Sequence, residues 1–173
     1  VFKTPIDKIN DSQRRTAKIV NFGIMYGAGP YRMSQELGIS MFESRELIDN
    51  YFDTYPGIRN FIDKTLKNAK EDGFVKTMNG RKRKIKFLNT GNKQQINAES
   101  RVITNMPIQG TASEIIKIAM IKIHKKLKEK QMQSKMIMQV HDELIFEFPN
   151  NESKVLKNLI IEEMESAMKL DVP

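Results

Sequence analysis

Pro30, Gly38, the Ser40–Glu43 pair, Pro56 and Gly73 punctuate the first half of this sequence so closely that helices are what fits between them. Proline suits a first helical position because its missing N–H would lack an intrahelical partner anyway. Glycine after a last turn takes the left-handed conformation that stops a helix. These signals predict helices from Pro30 to Leu37, from Ser40 to about Tyr55 and from Pro56 to Gly73. Ser40 with Glu43 makes a capping box for the second. Ile58, Phe61, Ile62, Thr65, Leu66 and Ala69 share one face of the third. Ahead of them, Asp11 or Ser12 can cap a helix from about Gln13 to Tyr26, ended by Gly27 and Gly29.

After Gly73 the period changes. Phe74 to Thr77, Asn79-Gly80 and Arg81 to Leu88 read as a hairpin, with Asn-Gly supplying the positive φ of a tight turn. A helix from about Lys93 is expected to end near Asn105, because Pro107 disfavours helical geometry at Met106. A long helix follows from about Gln109 to Lys130. Lys135 to Val140 and Leu144 to Phe148 are β-type runs around His141-Asp142-Glu143, a second hairpin. An amphipathic helix from Glu152 to Lys169 closes the chain. The pattern is helix-rich α+β, mostly α, with too few strands for a stable sheet of its own.

Lysine and arginine outnumber the acids 29 to 21, for a net charge of +8. A polyanionic partner suits that excess, and clusters argue more than the total because phosphate attraction accumulates along a patch. The clusters are Arg81 to Lys84 with Lys86, and Lys122, Lys125, Lys126, Lys128 and Lys130. Cysteine is absent, which excludes disulfides and thiolate zinc sites. No apolar run approaches the roughly 20 residues a membrane helix needs. No targeting signal is present either, and a chain opening on Val1 reads as a piece of something larger. With no linker or repeat, its 173 residues suit one domain or two incomplete ones.

Arg14, Lys18, Phe22 and Tyr26 are spaced four apart. At about 3.6 residues per turn the spacing drifts only about 40° per step, so they form one slanting stripe roughly 18 Å long. Cation, cation, ring, ring matches the order of a nucleoside triphosphate, with phosphates at one end and a base at the other. Arginine offers phosphate a bidentate fork and lysine a mobile charge. Ala17, Val20 and Ile24 lie on another side, where they can pack inward. Taken alone, the stripe fits an ordinary amphipathic helix, with snorkelling cations and two core rings, better than a nucleotide site. Asp142 and Glu143 at a hairpin apex are compatible with a solvated turn, or with hard oxygen ligands for magnesium.

The string Gln13-Arg14-Arg15-Thr16-Ala17-Lys18-Ile19-Val20-Asn21-Phe22-Gly23-Ile24-Met25-Tyr26-Gly27 resembles the fingers helix of family A DNA polymerases. Gln139-Val140-His141-Asp142-Glu143 resembles the third polymerase motif of that family. Tyr51-Phe52, Tyr55-Pro56, Gly73-Phe74-Val75, Asn79 to Arg83, and Arg101 through Gln109 to Ala112 fall in the family's order. Ser113-Glu114 stands where Ala-Asp is usual. The resemblance implies a helical fingers subdomain over about residues 11–90, and the later part of an antiparallel-sheet palm over about 91–173.

It also implies site residues. Arg14 and Lys18 would bind the triphosphate of an incoming dNTP, with Lys18 offsetting charge in the transition state. Phe22 would pack near the sugar and Tyr26 beside the base and template. Arg101, Asn105 and Gln109 would touch the template and the minor-groove side of the new pair, and His141 the primer end, although a lone histidine is equally compatible with a structural role. Helix-end hydrogen bonding is the competing reading for Asn105. Asp142 would be a catalytic metal ligand and Glu143 its less essential neighbour.

Two Mg2+ ions and primer-template DNA would be required, and the parent is expected to be monomeric and of cytoplasmic or organellar location. Val1 to Ser12 do not match the first polymerase motif, which carries the other catalytic aspartate, so the active site is expected to be incomplete here. The thumb and any exonuclease module are expected to be absent as well. Single-subunit RNA polymerases share the spaced Arg, Lys and Tyr, whereas Phe22-Gly23 and the Glu after His-Asp favour the DNA enzymes. A non-catalytic nucleic-acid-binding relic is the remaining alternative. The basic stretch from Arg81 to Lys86 holds duplex phosphates or is simply solvated; both readings stand.

Overall fold

The computed structural model describes residues 4–171, so Val1–Lys3, Val172 and Pro173 lie outside the described residues. The chain forms two compact units, Val1–Ile108 and Gln109–Pro173. The first contains helices α1 (Asp11–Met25), α2 (Pro30–Leu37), α3 (Met41–Thr54) and α4 (Pro56–Asp72). Strands β1 (Phe74–Lys76) and β2 (Lys82–Lys84) follow, then α5 (Lys93–Asn105). The second contains α6 (Thr111–Glu129), β3 (Lys135–Val140), β4 (Glu143–Glu147) and α7 (Ser153–Glu165). The architecture is mostly helical with small antiparallel sheets, as the sequence pattern implies.

Local chemistry accounts for most boundaries. Pro30 and Pro56 occupy first turns, and Gly38 and Gly73 end their helices at φ 67° and 75°. Ser40 and Glu43 form the reciprocal capping box. At α1 the cap is Asn10, rather than Asp11 or Ser12. Its side chain accepts the Gln13 N–H, and the Gln13 side chain accepts the Asn10 N–H. Asp11 falls in the first turn instead, where a negative charge favours the helix dipole.

The end of α5 departs from expectation. Met106 keeps helical angles, φ −57° and ψ −45°, despite preceding Pro107. The chain continues as a π-helical turn over Met106–Gly110. A widened turn accommodates a residue that has no N–H to donate and whose ring crowds the preceding turn. The first hairpin is also shorter than its sequence pattern. Thr77 exchanges backbone bonds with the Arg81 segment, its hydroxyl accepts the Arg81 N–H, and only Gly80 takes a positive φ in the turn.

Val20 and Ile24 of α1 are buried with Met33 and Tyr51, and half-buried Ile19, Ala28, Leu37, Leu47 and Ile48 surround them. Burying such aliphatic side chains is worth about 1.5–3 kcal/mol each, so α1 is anchored through its rear face alone. Ala69, Val75 and Ile103 form a second core joining α4, β1 and α5. In the second unit Ile123 and Leu127 of α6 pack on Leu156 and Leu159 of α7, with Met136, Leu144 and Phe146 of the hairpin against them.

Glu152 stands at the N-cap of α7 but makes no capping bond to it. Its carboxylate accepts the backbone N–H groups of Gln133 and Ser134 at 2.9 Å and the Ser134 hydroxyl, tying the root of β3 to the start of α7. The Ser134 hydroxyl bond, then the Gln133 N–H, hold the Glu152 pKa below its ordinary 4.5 against a smaller opposing effect of burial. A depressed carboxylate pKa contributes stability above the unfolded value and loses it as pH falls through the folded one. Glu152→Gln is therefore expected to lower the melting temperature at neutral pH, with a gap from wild type that narrows as pH falls below the ordinary 4.5 and through the lowered folded value. Thermal melts followed by near-UV circular dichroism check this; a gap independent of pH counts against the tie.

Candidate functional sites

The four residues of the α1 stripe all face solvent, while Val20 and Ile24 hold the helix from behind. Phe22 and Tyr26 stack on each other, with ring centroids 6.0 Å apart and planes 17° from parallel. They remain 56% and 43% exposed, an arrangement that core packing does not explain. Among the described residues neither Arg14 nor Lys18 is paired with a carboxylate. Two free cations precede a stacked apolar platform on one helix face.

Beside this stripe lies a cleft of about 300 Å³ lined by Lys18, Phe22, Tyr26, Arg32 and Glu36 among others. Arg32 went unnoticed in the sequence; it is held by Glu36 at 2.7 Å, an (i, i+4) pair that is the only local signal for it. A larger cleft of about 730 Å³ runs along α3, lined by Glu43, Glu46, Asp53, Tyr51 and Tyr55. Its three carboxylates repel a triphosphate, so the smaller cleft is the better nucleotide candidate despite its size.

Gly27 brings α5 to the end of α1. Its φ is +71°, and a Cβ placed there would stand 2.7 Å from the Arg101 Cγ. Arg101 is thus packed against the α1 terminus while remaining exposed. One turn later, the Asn105 side-chain amide donates to the Arg101 carbonyl at 2.8 Å, the helix-end bond that its sequence position suggested. Gln109 lies in the π-helical turn, an exposed position.

In the second unit β3 and β4 pair antiparallel, with an irregularity between Met136 and Met138. Val140 pairs with Glu143, so Glu143 opens β4 and only His141 and Asp142 form the connection. That differs from the three-residue apex expected from the hydrophobic runs, since the ladder extends one residue further. His141 takes φ 54°, a left-handed conformation that costs a non-glycine residue roughly 1–3 kcal/mol. Its carbonyl accepts the Gln139 side-chain amide at 2.8 Å, which braces the turn. His141, Asp142 and Glu143 are all exposed. Asp142 therefore projects from a short, braced loop, and Glu143 from the strand end beside it.

A stacked-ring and cation helix in one unit and a carboxylate-tipped hairpin in the other are the two elements that the resemblance placed at a polymerase active centre. The chain belongs to DNA polymerase family A, whose family model matches residues 1–173. It is 43% identical to DNA polymerase I of Bacillus subtilis (strain 168) across 100% of this chain and 20% of that protein. DNA polymerase I of Caldicellulosiruptor bescii gives the same identity and coverage. The chain thus spans about a fifth of the length of these relatives. Among solved structures it resembles the POL domain of Pol1 from M. smegmatis in complex with DNA primer-template and dNTP. The TM-score is 0.95 at 38% identity, covering 99% of this chain and 30% of that one.

Proposed function

We propose that the protein to which this chain belongs carries out template-directed DNA synthesis, in which a primer 3′-OH attacks an incoming dNTP and pyrophosphate leaves. The exposed stripe on α1, with unpaired cations and stacked rings, is the observation that carries this reading. Arg14 and Lys18 bind the phosphates, and Lys18 offsets the charge that grows on the leaving group. Phe22 packs against the sugar, while Tyr26 lies beside the base and the template. Arg101, Asn105 and Gln109 serve the minor-groove edge, where every Watson–Crick pair presents acceptors. His141 contacts the primer end. On this reading about residues 11–90 are mainly fingers and about 91–173 the later part of the palm, in a monomeric enzyme of cytoplasmic or organellar location.

Among the described residues no three His, Cys, Asp or Glu side chains gather as a metal-holding group. Asp142 and Glu143 nonetheless offer the hard oxygens magnesium prefers, and this ion commonly takes one or two carboxylates, with waters and substrate phosphates completing its shell. Asp142 would hold Mg2+, assisted by Glu143, and the bound ion would supply charge neutralisation at the reacting phosphate.

The test is primer extension by the full-length protein with dNTPs and rNTPs in competition. Incorporation of dNTPs in preference to rNTPs is expected. Preference for rNTPs would move the reading to RNA synthesis, and nucleotide binding without any incorporation would leave a non-catalytic binding module.

A further inference from the structure

The twenty residues 73–92 carry six cations, Lys76, Arg81, Lys82, Arg83, Lys84 and Lys86, and no carboxylate. The fold sorts these charges. In the β1–β2 ladder Phe74 pairs with Lys84, Val75 with Arg83 and Lys76 with Lys82. Successive strand residues point to opposite faces. One face therefore carries Val75, which is buried in the core with Ala69 and Ile103, and Arg83, whose guanidinium lies 4.0 Å from the buried carboxylate of Glu99. The other face carries Phe74, Lys76, Lys82 and Lys84, and all three lysines are exposed.

That outward face works against the stability of the hairpin. Lys76 and Lys82 are directly opposite, and like charges in that position destabilise a ladder. The strands are short, so few ladder bonds offset the repulsion. The base of the hairpin is nonetheless rigid. Val75 is buried, Thr77 is 3% exposed and bonded twice to the Arg81 backbone, and the Ile85 N–H donates to the Gly73 carbonyl. Lys82 is itself positioned, its ammonium 4.4 Å from the centroid of the Phe74 ring. A merely solvated loop requires neither the fixed spacing nor the repulsion. A row of phosphates accounts for both, since an extended polyanion relieves the repulsion between neighbouring cations and the effect accumulates along the row.

We propose that the β1–β2 hairpin is a phosphodiester-backbone contact of the polymerase, made by Lys76, Lys82 and Lys84, with Arg81 and Lys86 flanking it. This rests on the DNA-synthesis reading and adds to it a contact that none of the nucleotide or minor-groove residues supplies. Because it touches backbone only, it carries affinity and register without sequence preference.

The experiment compares wild type with the triple variant Lys76→Gln, Lys82→Gln, Lys84→Gln by fluorescence anisotropy across a salt series. Primer-template, single-stranded and blunt duplex DNA are titrated separately. Each lost phosphate contact lowers the slope of log affinity against log salt by about 0.7–0.9. A slope smaller by about 2–3, with at least about tenfold weaker binding to one of the DNA forms, is expected. The DNA form most affected identifies the strand that the hairpin holds. The control Lys125→Gln, Lys128→Gln, Lys130→Gln removes the same charge from the end of α6 and its C-cap and is expected to change the slope much less. The hairpin variant is also expected to melt no lower than wild type, since the Lys76–Lys82 repulsion is gone. Equal effects of the two triple variants, or an unchanged slope in the hairpin variant, overturn the proposal while leaving DNA synthesis standing. Wild-type protein that binds none of the three DNAs overturns both.

Discussion

Asp142→Ala is expected to reduce nucleotide incorporation by the full-length protein at least about a thousandfold while leaving primer-template affinity unchanged or slightly tighter. The size follows from the proposed role. Metal-assisted stabilisation of phosphoryl charge supplies several kcal/mol, and each 1.36 kcal/mol is about tenfold in rate. The direction of the binding change follows from exposure. Asp142 projects from a two-residue connection and contacts no core. Removing it leaves no cavity, and it deletes one negative charge facing a polyanion. Glu143→Ala is expected to cost far less, because Glu143 is held at the strand end rather than in the connection. Single-turnover extension together with anisotropy separates the two quantities. An Asp142→Ala enzyme with near-normal turnover would falsify the ligand role.

Lys18→Ala carries the second largest expected effect, a loss of about 100- to 1000-fold in kcat/KM for dNTP. A cation that stabilises charge developing on the leaving pyrophosphate is worth more in the transition state than in the ground state, so kcat should fall along with affinity. Lys18 is unpaired among the described residues, so its removal strands no buried carboxylate and the fold is expected to survive. Lys18→Arg should recover part of the loss, because charge is retained and only its geometry changes. Arg14→Ala, further from the rings, should act mainly on KM. Equal loss in Lys18→Arg and Lys18→Ala, with unchanged thermal stability, would point to a packing role for the aliphatic stem instead.

Much of this was legible because it is local. Pro30, Gly38, Ser40 with Glu43, Pro56 and Gly73 set helix limits through bonds to residues a few positions away, and such bonds can be read from spacing. The buried rear and exposed front of α1 likewise follow from one period. The π-helical turn at Met106–Gly110 was not legible, since the rule for residues before proline assumes a choice between α-helix and extended chain. The Asn10 cap was missed because two acceptors just after it also fit the pattern, and only the reciprocal bond with Gln13 decides. The tie from Glu152 to Gln133 and Ser134 spans 18 or more positions, beyond any local signal. The place of Arg32 beside Lys18 depends on how α2 turns back along α1. For Asp142 the strand pattern indicated the hairpin, while the resemblance alone singled out which apex residue to name.

The carboxylate-lined cleft of α3 lies in the same unit as the lysine face of the β1–β2 hairpin. A body bearing opposite charges at separate places experiences a torque, as well as a pull, in the field of a polyanion. For the DNA strand of the proposed reading, that torque would turn acidic ground away and basic ground toward it in the last few ångströms of approach. The acidic groove, a poor site for an anion in itself, would thereby help decide which way round the protein arrives. Its influence is exerted within about a Debye length, roughly 8 Å at physiological ionic strength, and fades as salt is added.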